Sequence, residues 1–131
     1  MNEPPEIPPI ATGLTRVFKA TIYSYKGFKS ALQSEAALRQ EMTLSFIFAL
    51  TLPYLDLTHL EKLFLLATLA IVIITELLNS AIEAIVDLVS PGYHELAGKA
   101  KDIGSAAVFT SLSLAGVCWV WGWVKGFHLL L

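Results

Sequence analysis

The sequence predicts an all-α membrane protein, with an N-terminal amphipathic surface helix followed by three transmembrane helices. Of its 131 residues, 55% are hydrophobic and only 15% are charged, and the mean hydropathy is +0.63. Such values lie outside the range that is usual for water-soluble domains. A basic amphipathic segment precedes one short and two long apolar segments, which sets the predicted order of the elements.

Charge and cysteine content exclude several classes of protein. The net charge is −2, which gives no reason to expect nucleic-acid binding. The single cysteine, Cys118, lies in an apolar segment, so neither a disulfide framework nor a cysteine-based metal site is expected. The sequence also contains no GxxxxGK[ST] phosphate loop, no protein kinase signature and no GxSxG or HExxH motif.

The N-terminal part divides into a tail and a helix. Residues 1–12 contain four prolines and two glutamates, a composition typical of an extended tail. In residues 13–34, apolar residues recur every three or four positions, and basic residues gather on the other side. This segment is too charged to span a bilayer, so we expect an interfacial helix whose basic face meets anionic headgroups. A core-packing helix of a soluble protein is the alternative.

Three transmembrane spans are predicted, at about residues 35–55, 62–89 and 94–124. The first span has only about fourteen uncharged residues between Glu41 and Asp56, so it is expected to begin near Glu35. The second follows a polar loop at residues 56–61 and ends at a Ser-Pro-Gly turn. The third ends in three tryptophans, which are expected to form an aromatic belt at the membrane interface.

The basic residues predict the orientation of these spans. One side carries seven of them and the other side carries only Lys62 and Lys125. By the positive-inside rule, the side with seven basic residues is cytoplasmic. The N-terminus is therefore expected in the cytoplasm and the C-terminus outside.

The second predicted span carries a stripe of polar residues. Its five members share one helical face: Glu76, Asn79, Ser80, Glu83 and Asp87. Ionisable residues at membrane depth cost roughly 2.5–3.5 kcal/mol each, so they mark a functional site by default. If the helix enters the membrane near Lys62, Glu76 lies about 21 Å and Glu83 about 31 Å along it. The stripe is therefore expected to cross the cytoplasmic interface.

Two functions fit such a stripe. An interfacial enzyme would hold Mg²⁺ between Glu83 and Glu35 and would use Glu76 to deprotonate a lipid hydroxyl. In that case Lys101 and Asp102 would contact a soluble co-substrate. A small proton- or cation-coupled transporter would instead bind its ion at Glu76, but such sites are expected near the bilayer midplane. The position of the stripe favours the enzyme, and a purely structural role in holding helices together is the third interpretation.

Three segments resemble the bacterial integral-membrane diacylglycerol kinase family: EAALRQE (35–41), ELLNSAIEAIVD (76–87) and YHELAGKAKDIGSAAV (93–108). The resemblance extends from Gly13 to about Trp123. It implies a surface helix and three spans, assembled as a homotrimer whose active sites are shared between subunits. It also implies Mg²⁺-dependent transfer of the ATP γ-phosphoryl group to diacylglycerol, giving phosphatidic acid, in the bacterial inner membrane. The C-terminus would then lie in the periplasm. A sister group phosphorylates undecaprenol, but the EAALRQE segment is more similar to the diacylglycerol branch.

The resemblance also implies roles for individual residues. Glu76 would be the catalytic base, and Glu35 and Glu83 would be the metal ligands. The expected ATP contacts are Arg16, Tyr23, Glu35, Glu83, Tyr93, His94, Lys101 and Asp102. The expected lipid contacts are Arg16, Ser24, Ser30, Leu38, Arg39, Gln40, Glu41, Glu76 and Ser105. Asn79, Asp87 and Glu95 would support the polar cluster. The Ser-Pro-Gly turn before Tyr93 departs from the family's pattern and leaves the backbone contacts there open.

Overall fold

The protein is described here by a computed structural model that covers residues 12–128, and this part of the chain is all-helical. The helices are α1 (Gly13–Ser34), α2 (Ala36–Thr51), α3 (His59–Val89) and α4 (Glu95–Gly126), with a short 3-10 helix at Leu52–Tyr54. The predicted all-α class is confirmed. The tail predicted at residues 1–12 lies outside the described residues except for Thr12.

Two of the helices are long and apolar enough to cross a bilayer. Helix α3 has 31 residues and α4 has 32. At 1.5 Å per residue, each is more than about 45 Å long, which exceeds a hydrocarbon core of about 30 Å. Helix α2 has 16 residues, fewer than the roughly 20 that a straight span needs. The arrangement with three spans therefore stays a prediction.

Helices α3 and α4 form the main packed pair. They run antiparallel, because Gly104 of α4 packs on Asn79 of α3 whereas Gly122 packs on Leu65. Among the described residues, all buried hydrophobic residues except Leu38 gather toward the end of the pair that lies next to the α2–α3 connection: Leu52, Leu55, Leu65, Leu69, Val72, Ala115 and Trp119. Beyond Val72, the next buried residue along α3 is Glu76. The apolar core therefore ends where the polar stripe begins.

Two of the three tryptophans of α4 belong to this core. Trp119 is fully buried, and its ring centroid lies 5.3 Å from that of Phe48. Trp123 lies 4.7 Å from Phe48 in an edge-on arrangement, and its Nε1 donates to Thr51 Oγ1 at 3.0 Å. Residues four apart share a helical face, whereas Trp121 points away from both and is exposed. Trp119 and Trp123 therefore join α4 to α2, and the buried Trp119 does not face lipid headgroups. An interfacial position for the tryptophans stays a prediction.

The connection before α3 is shorter than the polar loop predicted at residues 56–61. Helix α3 already begins at His59, because Thr58 caps it. The backbone N–H of Glu61 donates to the Thr58 hydroxyl at 3.3 Å, and the Glu61 carboxylate accepts from the Thr58 backbone N–H at 2.9 Å. This reciprocal pair is a capping box, and its Thr-x-x-Glu spacing is visible in the sequence.

The same end of the helix pair is closed by contacts with the end of α4. Glu61 forms an ion pair with Lys125, whose ammonium also lies 5.2 Å from the ring centroid of Trp121. The backbone N–H of Asp56 donates to the carbonyl of Gly126 at 3.0 Å. These contacts join the α2–α3 connection to α4 at the end of the pair away from the stripe.

The chain turns between α1 and α2 at Glu35, which has an extended backbone with φ −98° and ψ 113°. Ser34 donates its hydroxyl to the Glu35 carboxylate at 2.9 Å. Arg39 Nη1 donates to the carbonyls of Leu32 and Gln33 at 2.8 and 3.2 Å, which satisfies acceptors at the end of α1. None of the residues of α1 is buried, and its position at a membrane surface stays a prediction.

Candidate active site

The polar stripe of α3 runs from the interior of the bundle to its surface. Glu76 is buried, with only 4% of its surface exposed, whereas Asn79, Ser80 and Glu83 are half-buried. Asp87, one turn beyond Glu83, is exposed. The stripe therefore connects the end of the apolar core with the polar surroundings of the protein.

Carboxylates from three parts of the chain lie within electrostatic range of one another. Glu83 and Glu35 are in range of Glu76, and Glu76 is in range of Glu41. Like charges at this range repel one another, and a shared cation would relieve the repulsion. Within residues 12–128, no three His, Cys, Asp or Glu side chains come close enough to hold a metal ion. A cation bound here would need further oxygen ligands from a substrate or from water.

Two polar pairs hold the outer part of the stripe. Asn79 Nδ2 donates to Glu83 Oε1 at 3.1 Å, across one turn of α3. Lys101 Nζ lies 2.6 Å from Asp87 Oδ1, which joins the end of α3 to the start of α4. The sequence predicted a nucleotide contact for Lys101 and a supporting role for Asp87, and the structure brings these two residues together.

A cavity of about 520 Å³ lies between α1 and α3. Its lining includes Ser24 and Ser30 of α1, together with Glu35 and Ser80. The predicted lipid contacts Ser24 and Ser30 thus face the same space as the predicted metal ligand Glu35. The buried Ser80 hydroxyl has no hydrogen-bond partner in the part of the chain that the structure describes. Sequence reasoning gave Ser80 no role, and its place on the stripe was the only available signal.

The EAALRQE segment, at the start of α2, contains both buried and exposed residues. Leu38 is fully buried and Glu41 is 8% exposed, whereas Arg39 and Gln40 are exposed. Glu41 borders a mainly apolar cavity of about 190 Å³. Its Oε2 is buried without a hydrogen-bond partner among residues 12–128. A buried polar atom without a partner is costly, which marks Glu41 as a candidate functional residue.

Other predicted contacts lie at exposed positions, where the structure does not join them to the stripe in one site: Arg16, Tyr23, Tyr93, His94, Glu95, Asp102 and Ser105. His94 precedes α4, and its Nδ1 accepts a hydrogen bond from the backbone N–H of Leu96 at 3.2 Å. The roles of these seven residues in binding nucleotide or lipid, or in supporting the cluster, stay predictions.

Comparison with known proteins decides which family this arrangement belongs to. The family described as prokaryotic diacylglycerol kinase matches residues 22–122. The chain belongs to this family. The diacylglycerol kinase of Escherichia coli is 44% identical over 108 residues, which cover 82% of this chain and 88% of that protein. One from Helicobacter pylori is 37% identical over 125 residues, which cover 95% and 93% of the two chains.

The family match confirms the resemblance seen in the sequence. It begins inside α1 and continues through α2 and α3 into the last turns of α4. The whole polar stripe, Glu35 and Glu41 lie within the matched residues, whereas Arg16 lies outside them. Family membership does not assign a role to any single residue, so the roles of Glu76, Glu35 and Glu83 belong to the proposal that follows.

Proposed function

We propose that the protein is an ATP-dependent diacylglycerol kinase of the bacterial inner membrane. It transfers the γ-phosphoryl group of ATP to the hydroxyl of diacylglycerol, giving phosphatidic acid and ADP. The observation that carries the proposal is the buried Glu76 at the end of the apolar core, within electrostatic range of Glu35 and Glu83, in a chain of this family. Relatives named diacylglycerol kinase, at 37–44% identity over most of the chain, support it.

Glu76 serves as the general base. Its carboxylate lies where the apolar core of the helix pair ends, so a lipid can reach it with a hydroxyl while its acyl chains stay in the membrane. Glu76 accepts the proton of that hydroxyl as the oxygen attacks the γ-phosphorus. Phosphoryl transfer depends mainly on positioning and on stabilisation of charge, and the base adds a factor of about 10²–10⁴.

Glu35 and Glu83 are the residues that would hold Mg²⁺. Mg²⁺ prefers a few carboxylate oxygens together with the phosphate oxygens of a substrate, and two carboxylates within electrostatic range of Glu76 fit that preference. The bound ion would neutralise part of the triphosphate charge beside these carboxylates. Asn79 orients Glu83 through its hydrogen bond, and the Asp87–Lys101 pair holds the start of α4 against α3.

The two substrates approach from different sides. The lipid lies along α1, in the cavity bordered by Ser24, Ser30 and Glu35, and Glu41 borders a second, mainly apolar cavity. ATP approaches from the cytoplasm, where Lys101 and the exposed residues at the start of α4 would contact it. The N-terminus is cytoplasmic, the C-terminus is periplasmic, and the active form is a homotrimer that shares residues between subunits.

A phosphoryl-transfer assay tests this function directly. The purified protein is incubated in mixed micelles with γ-labelled ATP and Mg²⁺, and with either diacylglycerol or undecaprenol. We expect labelled phosphatidic acid, little labelled undecaprenyl phosphate, and no transfer after chelation of divalent metal. Faster transfer to undecaprenol would place the protein in the sister branch, and no transfer to either alcohol would reject a lipid kinase.

A further inference from the structure

Gly104 packs against the polar stripe, and this contact can affect the proposed metal ligands. We propose that Gly104 is a positioning residue for the Glu83 carboxylate and that it acts through Asn79. The inference rests on the proposed function, because it takes Glu83 as a ligand of the metal–nucleotide complex. It concerns a residue on α4 that touches neither ATP nor lipid in that proposal.

The contact between the two helices leaves no room for a side chain at residue 104. Gly104 is buried, and a methyl group there would lie 2.2 Å from Asn79 Oδ1 and 3.3 Å from Asn79 Cγ. It would lie 3.9 Å from Asn79 Cβ, which is an ordinary contact. An alanine at this position therefore displaces the amide, which is the end of a flexible side chain, without pushing the two helices apart.

The displaced amide is the group that holds Glu83. Asn79 Nδ2 donates to Glu83 Oε1 at 3.1 Å. Asn79 Oδ1 faces Gly104 and has no hydrogen-bond partner within the described residues. The hydrogen bond to Glu83 and the space left by the missing side chain of Gly104 together define where the Asn79 amide lies. Loss of such a hydrogen bond to a metal ligand typically lowers metal affinity about 10–100-fold.

Helix α4 supplies two matched controls. A methyl group at Gly116 would meet nothing within 4 Å. One at Gly122 would lie 2.7 Å from Leu65 Cδ1, so it also crowds α3, but in the apolar core and away from Glu83. Comparison of the three alanine variants therefore separates the effect on Asn79 from the general effects of a glycine substitution and of crowding between the helices.

The first measurement is the affinity of the full-length protein in detergent for Mn²⁺–AMP-PCP, followed by electron paramagnetic resonance of the Mn²⁺. We expect Gly104→Ala to weaken this binding about tenfold or more, while AMP-PCP without metal binds as it does to the unmodified protein. Gly116→Ala and Gly122→Ala should leave the affinity for Mn²⁺–AMP-PCP unchanged. Unchanged affinity in Gly104→Ala, or an equal loss in Gly122→Ala, would overturn the inference.

A double-variant cycle with Asn79→Ala tests whether Gly104 acts through Asn79. Asn79→Ala removes the donor to Glu83 and also the atoms that a methyl group at residue 104 would strike. Adding Gly104→Ala to Asn79→Ala should therefore cause no further loss of Mn²⁺–AMP-PCP affinity. An additive loss would mean that Gly104 acts by another route. Because the double variant contains no clash, the test holds even where Gly104→Ala alone folds poorly.

The Glu83→Gln variant separates this inference from the proposed function. If Glu83→Gln binds Mn²⁺–AMP-PCP normally, the assignment of Glu83 as a metal ligand fails, and the proposal for Gly104 fails with it. If Glu83→Gln weakens binding and Gly104→Ala does not, only the positioning role of Gly104 is wrong.

Discussion

At the scale of single residues, the carboxylates of the candidate site differ in burial, and this difference suggests which role each of them suits. Glu76 is almost fully buried at the end of the apolar core, whereas Glu35 and Glu83 are half-buried nearer the surface. A buried carboxylate suits proton transfer with a lipid hydroxyl, and partly exposed ones suit an ion that arrives with a water-soluble nucleotide. We therefore propose that the three carboxylates act on different parts of the reaction.

Replacement of either proposed metal ligand should change the metal requirement of the reaction. Glu35→Gln and Glu83→Gln each remove a charged oxygen ligand, so each should raise the Mg²⁺ concentration for half-maximal activity about tenfold or more. The measurement is initial rate against Mg²⁺ concentration at saturating ATP and lipid. Glu61→Gln is the matched control, because Glu61 pairs with Lys125 at the opposite end of the helix pair. An unchanged Mg²⁺ requirement in both variants would remove these residues from the metal site.

Helical spacing predicted which residues of α3 share a face, but not what each of them meets. The positions of Glu76 through Asp87 on one side follow from 3.6 residues per turn alone. The contact of Asn79 with Gly104 depends on the register between α3 and α4, which no local pattern encodes. The same reason explains why Ser80 received no role.

At the scale of whole elements, local sequence signals predict where helices lie better than they predict what each helix packs against. The apolar periodicity of residues 13–34 predicts a helix with the bounds that α1 has in the structure. The Ser-Pro-Gly turn directly follows the last residue of α3. The Thr-x-x-Glu capping box at Thr58 starts α3 at His59, whereas the end of the polar segment alone predicts a start near residue 62. The composition of the end of α4 predicts tryptophans at a membrane interface, but the four-residue spacing of Trp119 and Trp123 brings the first into the core and the second against it.

The basic face of α1 should matter for lipid docking in particular. Lys19 and Lys26 are exposed on a helix without buried residues, so their replacement should not disturb folding. Each basic residue near an anionic surface contributes about 1 kcal/mol, so Lys19→Glu with Lys26→Glu should raise the KM for diacylglycerol at least about tenfold in anionic bilayers. The effect should vanish in neutral bilayers, and replacement of both residues by Arg is the charge-preserving control. If the double variant has the KM of the unmodified protein in anionic as well as in neutral bilayers, an interfacial role for the basic face of α1 is contradicted.

At the scale of the whole molecule, the described chain exposes polar groups along helices that are otherwise apolar. Asp87 and Asp102 are exposed near the ends of α3 and α4, and Glu83 is only half-buried. These groups lie near the predicted cytoplasmic interface, where ionisable groups are costly unless protein or water surrounds them. Contacts between copies of the chain would supply such surroundings and would gather the exposed predicted ligands into one site.

We therefore predict that the active protein is a homotrimer. Native mass spectrometry of the protein released from detergent micelles should give mainly three times the mass of the chain. Chemical cross-linking in membranes should give the same species. The activity of fractions separated by size should follow the trimer. A monomer with full activity in such fractions would contradict both the trimer and the sharing of active sites between subunits.

The most direct measurement determines turnover and ATP binding on the same purified Glu76→Gln variant. If Glu76 is the base that deprotonates diacylglycerol, kcat should fall by about 10²–10⁴, while oligomeric state and ATP affinity stay near those of the unmodified protein. Glu76→Asp should also retain little activity, because its carboxylate is withdrawn by about one bond length. Normal turnover in Glu76→Gln would exclude Glu76 from the mechanism, and loss of ATP binding would assign it to the metal site instead.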